Sequence, residues 1–333
     1  MDRIEINMQQ LNKVAESISS IGISDEHANR PFIVFESTKE LKTKAYLFCS
    51  AICHQTHSLR NESKNLIGWN YLEYVFEHLA KKNSPLLDID YICESPSDKL
   101  EKEYAQEFPL SDSDTQSSLD KISERVELIK DIAQYIKKAG YESVLDMFNQ
   151  SEGKLIGHDS GLYSQLSKMR AFKDPLRKKS TLFIKLMNQS GLIQVKDPEN
   201  IEALMDYHMQ RLLLRTGCVE VNDPSLMMQL KNKEHLLSDE EIRRTCVQAI
   251  KRIGFESKKS VLELDDLFWA IGRSCCNEKI LCVDMVCNKT PCTLTMVSDI
   301  TNHKTCVFDG QCKGSTHQEY RDYWEPMVAT DFY

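Results

Sequence analysis

Residues 201–217, IEALMDYHMQRLLLRTG, carry the helical signature that decides the fold. A helix is predicted from Asp206 onward. Met209, Leu212, Leu213 and Thr216 repeat there at the i, i+3, i+4, i+7 spacing of a buried stripe. Arg211 and Arg215 lie one turn apart on another face, and Gly217 suits the residue that closes a helix. Asp206 therefore falls at the N-cap, where a short carboxylate accepts from the free N–H groups of the first turn. Taken alone it reads as a plain cap.

Working outward, the same periodicity recurs along most of the chain. Residues 1–20 read as an amphipathic helix with Ile4, Ile6, Met8, Leu11, Val14 and Ile18 as its apolar positions. Helices are expected over 39–54 and from Trp69, the latter with Leu72, Val75, Phe76 and Leu79 inward. Residues 83–120, rich in Ser, Pro, Asp and Glu, read as a long exposed connection with one short helix near 98–106. A strong helix over 117–138 closes at Gly140, and a shorter one follows over 141–148. Residues 162–187 read as helical with a break at Asp174-Pro175. Beyond Gly217 come an extended piece, a turn at Asn222-Asp223-Pro224, and a helix at SDEEIRRTCVQAIKRIG. There Ser238 and Glu241 are spaced as a capping box. The helix LELDDLFWAIGR precedes a cysteine-rich tail. Strand signals are few, so the fold class is all-α.

The chain has 333 residues, 41% of them hydrophobic, with a formal net charge of −8. That balance is a poor global match to a nucleic-acid binder, although a local basic groove is compatible with it. No apolar run reaches membrane-spanning length, and the N-terminus lacks the apolar core of a signal peptide. The expectation is an intracellular protein (cytoplasm, nucleoid or nucleus) with no membrane association. Of its twelve cysteines, seven fall between Cys275 and Cys312. Such clustering points to zinc or iron–sulfur ligation rather than to a scattered disulfide framework. The set holds no CxxC, so spacing alone does not choose the ligands among Cys275, Cys276, Cys282, Cys287, Cys292, Cys306 and Cys312.

Two further stretches carry chemistry. The run KMRAFKDPLRKKSTLFIK, residues 168–185, gathers cations in an otherwise acidic chain and suits the neutralisation of phosphates. A lysine desolvated among other cations there has a lowered pKa and can act as an amine nucleophile. The stretch Cys53-His54-Gln55-Thr56-His57 ends an apolar helix in polar groups, with Trp69 and Tyr71 just beyond. It reads as a cluster able to stack on or hydrogen-bond a base. His208 reads as a structural histidine.

Together these segments resemble the helix-hairpin-helix (HhH-GPD) superfamily of base-excision DNA glycosylases, which includes endonuclease III and the archaeal 8-oxoguanine glycosylases. MDYHMQRLLLRTG is similar to the family's aspartate-initiated helix, and KKSTLFIKLM resembles the archaeal branch's lysine segment. LDDLFWAIGRSCC is similar to that branch's Trp-Gly-Arg helix and to the entry of the iron–sulfur loop of endonuclease III. ICHQTH resembles the segment whose glutamine probes the hole left by a flipped base. The likeness covers about 45 to 312 in patches. It departs from the family in having the lone Gly191 of NQSGLIQ where a glycine-rich hairpin would grip a duplex. The cysteine spacing is also looser, although Cys306 and Cys312 keep the gap of the family's final pair.

The resemblance implies two helical subdomains with a cleft between them. Residues 41–190 would form a helical-barrel subdomain with the base-probing loop; 1–40 plus 191–333 would carry the aspartate helix and the cysteine loop. It implies Asp206 as catalytic carboxylate and Lys179 as Schiff-base nucleophile. Gln55, Trp69, His54, His208 and Arg211 would lie at the substrate, with Lys173, Arg177 and Lys178 on the nucleic-acid backbone. A cluster of the 4Fe-4S type, or alternatively zinc, would sit on Cys276, Cys292, Cys306 and Cys312. The partner would be double-stranded DNA with a modified base, bound by a monomer. Two rival readings stand beside this one: a glycosylase of a free modified nucleoside or nucleotide, resembling the queuosine-salvage enzymes, and a non-catalytic, metal-stapled helical binding protein.

Overall fold

A computed structural model describes residues 2–287, 292–300 and 304–333. The chain is mostly helical, and its described strands form two short antiparallel pairs. Contacts divide it into two units, residues 1–28 with 202–329 and residues 29–201 with 330–333. The boundaries implied by the resemblance, at 40/41 and 190/191, thus differ from those the contacts draw. Residues 29–40 and 191–201 belong to the unit built around 41–190, and the last four residues join it. Among the described residues no helix is long and apolar enough to cross a membrane.

The first unit opens with a strand, Ile4–Ile6, where sequence periodicity predicts helix. It pairs antiparallel with Val219–Val221, Ile4 opposite Val221 and Ile6 opposite Val219. The helix Met8–Ser19 follows, capped by Asn7, whose side chain accepts from the Gln10 N–H at 2.9 Å. Its stripe of Leu11, Val14, Ala15 and Ile18 is buried, and the helix packs on Glu240–Ser257, which turns Ile242, Cys246, Ile250 and Ile253 inward. Each such aliphatic side chain stabilises the unit by about 1.5–3 kcal/mol. The expected capping box at Ser238 and Glu241 does not form. Asp239 stands at that N-cap without a side-chain capping bond, its carboxylate accepting instead from Gln210 Nε2 at 3.1 Å, and a capping box lies at Ser260 and Glu263, opening the helix Val261–Ser274. That helix packs along Tyr207–Thr216 so closely that a Cβ on Gly272 would stand 2.9 Å from the His208 carbonyl oxygen. Only glycine allows that approach.

The second unit is organised around Lys39–Ala51. Every residue of this helix from Ala45 to Ala51 is buried, as befits a helix enclosed on all sides. It is flanked by Trp69–Lys81, Ile122–Ala139, Val144–Asn149 and Lys178–Gln189. Glu40 anchors Val144–Asn149, its carboxylate accepting from the N–H groups of Val144 and Leu145 at 2.9 and 3.0 Å. Residues 83–120 are not the exposed connection that their composition suggests. They form the helices Ile89–Glu94 and Ser97–Glu107, which dock on Ile122–Ala139 and bury Leu86, Leu87, Ile92, Leu100, Tyr104 and Phe108. A few large apolar anchors suffice to hold short helices that have no sustained period of their own.

Candidate functional site

The central helix of the second unit ends at Ala51, and the chain turns through Ile52, Cys53, His54 and Gln55. Arg125, 1% exposed, clamps this turn. Its guanidinium donates to the carbonyl oxygens of Ile52 and His54, the latter at 3.0 Å. Asp120 neutralises it at 2.7 Å. Gln55 holds a left-handed backbone with φ of 46°, unusual for a residue with a side chain. Lys121 Nζ donates to its side-chain oxygen at 2.6 Å, and its own N–H donates to the Tyr333 carbonyl at 3.2 Å. Gly68, just ahead of Trp69, lies against the same turn: a Cβ there would stand 3.5 Å from the Thr56 carbonyl oxygen.

Lys179 reaches this turn from the helix Lys178–Gln189, whose start is fixed by the buried Asp174 carboxylate accepting from Leu176 and Lys178 N–H at 3.0 Å. Its ammonium donates to the Ala51 carbonyl and to Nδ1 of His54, the latter at 3.2 Å. On its far side the imidazole brings Nε2 to 2.8 Å from Glu124 Oε1. Burial, with the charges of Lys179 and Arg125 adding to it, pushes the His54 pKa well down. The imidazole is therefore neutral, and its approach to Glu124 is not an ion pair. Nδ1 accepts from the ammonium, which places the ring proton on Nε2, facing the carboxylate. The two atoms meet without hydrogen-bond alignment and have no hydrogen-bond partner among the described residues.

Burial lowers the Lys179 amine to about 8. Cys53 and Asp331 oppose that shift, and Lys178 and Arg125 reinforce it. An amine in that range is part-deprotonated near neutrality, as a nucleophile requires. Lys179 is nonetheless 0% exposed, enclosed by the turn it contacts.

The basic run divides between surface and interior. Lys179 and Lys185 are buried, Arg177 stacks over Tyr163 at 4.5 Å, and Lys178 Nζ lies 3.4 Å from Cys53 Sγ. Lys168, Arg170 and Lys173 are exposed. Of the residues singled out in the sequence, Lys179 meets His54, and Gln55 follows His54 in the same turn. It misses Glu124, Arg125 and Lys121, which sit at the start of a helix legible only by its apolar stripe. The signal available was a charged trio, Glu124, Arg125 and Lys121, ahead of that stripe.

In the first unit Asp206 is the N-cap of Tyr207–Thr216. Its side chain accepts from the Met209 N–H at 3.0 Å, and Gly217 ends the helix at φ 76°. Asp206 caps the helix and remains half-exposed. Arg211, expected at the substrate, is 1% exposed and binds the Gly272 and Cys276 carbonyls and Glu325. Its Nη2 also lies 3.2 Å from Nδ1 of His208, and its guanidinium stands 4.7 Å from the centre of the Trp324 ring. Arg211 thus ties the aspartate helix to the cysteine segment, and His208 leans on it.

The thiols of that segment form one linked set. Cys275 feels Cys292, Cys287 and Cys276, Cys312 feels Cys276 and Cys282, and Cys306 feels Cys276, Cys275 and Cys312. Burial pushes Cys275 and Cys312 up to about 12, so these are protonated thiols at neutral pH. Among the described residues no group of three or more His, Cys, Asp or Glu side chains is arranged to hold a metal ion. Of the expected quartet, Cys276, Cys306 and Cys312 interact with one another, and Cys292 is joined to them through Cys275.

No family model matches the chain, and no curated protein matches it.

Proposed function

We propose that the protein is an N-glycosylase that releases a modified base from DNA, using Asp206 as its carboxylate and Lys179 as its amine. As the glycosidic bond breaks, its electrons leave with the base and positive charge builds on the sugar. Asp206, held by its capping bond near the positive end of a helix, stabilises that charge. The neutral amine of Lys179 gives its lone pair to the sugar carbon, and opening of the ring yields an imine that permits strand cleavage. His54 and Glu124 hold the amine in place, and Gln55 and Trp69 serve the flipped base. The single observation that carries this reading is the Lys179 amine, brought to about 8 and bonded to His54.

One observation favours a second reading. Lys179 and Lys185 of the run 168–185 are buried within the unit, and the chain carries a net charge of −8. A free modified nucleotide asks for fewer phosphate contacts than a duplex does. Base release from a panel of modified-base duplexes and from the matching nucleoside 5′-monophosphates tests both. Release from duplexes supports the proposal. Release from monophosphates alone moves the substrate to the nucleotide, and release from neither overturns both readings.

A further inference from the structure

The first unit holds a cavity of ≈ 610 Å³ whose lining includes Arg215, Lys233, Arg321, Trp324, Glu278 and Asp322. Arg215 is 4% exposed. Its Nε donates to the Tyr323 carbonyl at 2.8 Å, and its Nη1 donates to the carbonyls of Cys276 and Asn277 at 3.1 and 3.0 Å. Nη2 has no hydrogen-bond partner among the described residues, and the side chain lines the cavity. A guanidinium fixed through three of its five N–H donors, with the two on Nη2 left over, presents rigid, desolvated donors to whatever enters.

Two more cations line the same space. Arg321 is half-buried, and Lys233 stands with Nζ 3.9 Å from the centre of the Trp324 ring. Neither makes an ion pair among the described residues, although Glu278 and Asp322 line the same cavity. Both acids are exposed, so water screens them more than it screens Arg215. The positive potential is therefore strongest at the buried end. The volume exceeds what a bare oxyanion needs and suits an anion carrying a small organic body.

We infer that this cavity binds a phosphate ester, with Arg215 and Arg321 at its oxygens and Lys233 and Trp324 along its organic part. The site deepens the proposed function as a place for a phosphate of the substrate, and rests on that reading only for the identity of the ester. A strand phosphate and a free nucleotide share this chemistry.

Calorimetric titration of the full chain with inorganic phosphate, a nucleoside 5′-monophosphate and an unmodified duplex tests the site without any turnover. Arg321→Ala and Lys233→Ala remove side chains that make no hydrogen bond among the described residues, so both variants should keep the fold, which circular dichroism checks. The expected result is salt-sensitive binding by the parent, weakened about tenfold in Arg321→Ala and less in Lys233→Ala. Weakening with the duplex but not the monophosphate assigns a strand phosphate, and the converse assigns a free nucleotide. No binding by the parent, or equal affinity in parent and variants, overturns the site. A protein that binds these esters yet releases no base would lose the glycosylase proposal and keep this one.

Discussion

The ammonium of Lys179 lies 3.2 Å from Nδ1 of His54, and both side chains are 0% exposed. Two cations at that separation in a desolvated site would repel strongly, so the pair holds one positive charge at most. The imidazole is the partner that stays neutral. This relationship gives the first two predictions.

Lys179 sets a stability window in alkali. Its folded-state value of about 8 lies below the ordinary 10.5. Below pH 8 the folded protein carries the full penalty of a buried ammonium. Between 8 and 10.5 the folded state has lost that proton while the unfolded chain keeps it, so this group's contribution to stability rises across the window. The rise is about 3 kcal/mol. Thiols and tyrosines titrate nearby, so the measurement is the difference between parent and Lys179→Met in urea unfolding at pH 7.5 and 10.5. The variant should lack the rise.

His54 acts at the other end of the scale. Its folded-state pKa lies far below the ordinary 6.5, so its contribution is fully present above 6.5 and is lost as pH falls below it. The unfolded chain then takes a proton that the folded one refuses, at about 1.4 kcal/mol per pH unit. Urea midpoints between pH 7 and 5 should fall less steeply in His54→Gln than in the parent.

Gln55 separates folding from function. Its left-handed backbone suits glycine better than glutamine, which costs about 1 kcal/mol. Gln55→Gly loses the bond from Lys121 but relieves the backbone, so stability should stay within about 1 kcal/mol of the parent. Base release should fall markedly if the side chain serves the flipped base. Unchanged release would remove Gln55 from the site.

The same distinction applies to Asp206. Asparagine keeps an oxygen for the Met209 N–H and removes the charge, so Asp206→Asn should preserve stability while abolishing base release. Asp206→Ala loses the cap as well and should cost about 1 kcal/mol in urea unfolding. Full activity in the asparagine variant would show that Asp206 only caps its helix.

The aspartate helix was legible because its determinants are local: a cap, an apolar stripe and a terminal glycine, all within twelve residues of sequence. Residues 83–120 misled because isolated anchors such as Tyr104 and Phe108 carry no period, yet each is fully buried by tertiary contact. Lys179 and Lys185 of the basic run misled for the converse reason. Charge is visible in sequence, but the burial of Lys179 and Lys185 depends on partners far along the chain, Ala51 among them. Arg125 was invisible as a site residue, since the carbonyls it clamps lie more than seventy positions upstream. The strand Ile4–Ile6 exists because Val219–Val221 lies beside it, and no local pattern announces that pairing.

The central claim is that Lys179 is the nucleophile of an N-glycosylase. Its most direct test is borohydride reduction of the full chain on a modified-base duplex that it processes, followed by peptide mapping of the adduct by mass spectrometry. The account predicts a single covalent adduct on the peptide containing Lys179, formed faster as pH rises toward 8 and absent in Lys179→Gln. Base release without any adduct, or an adduct on another lysine, would contradict it.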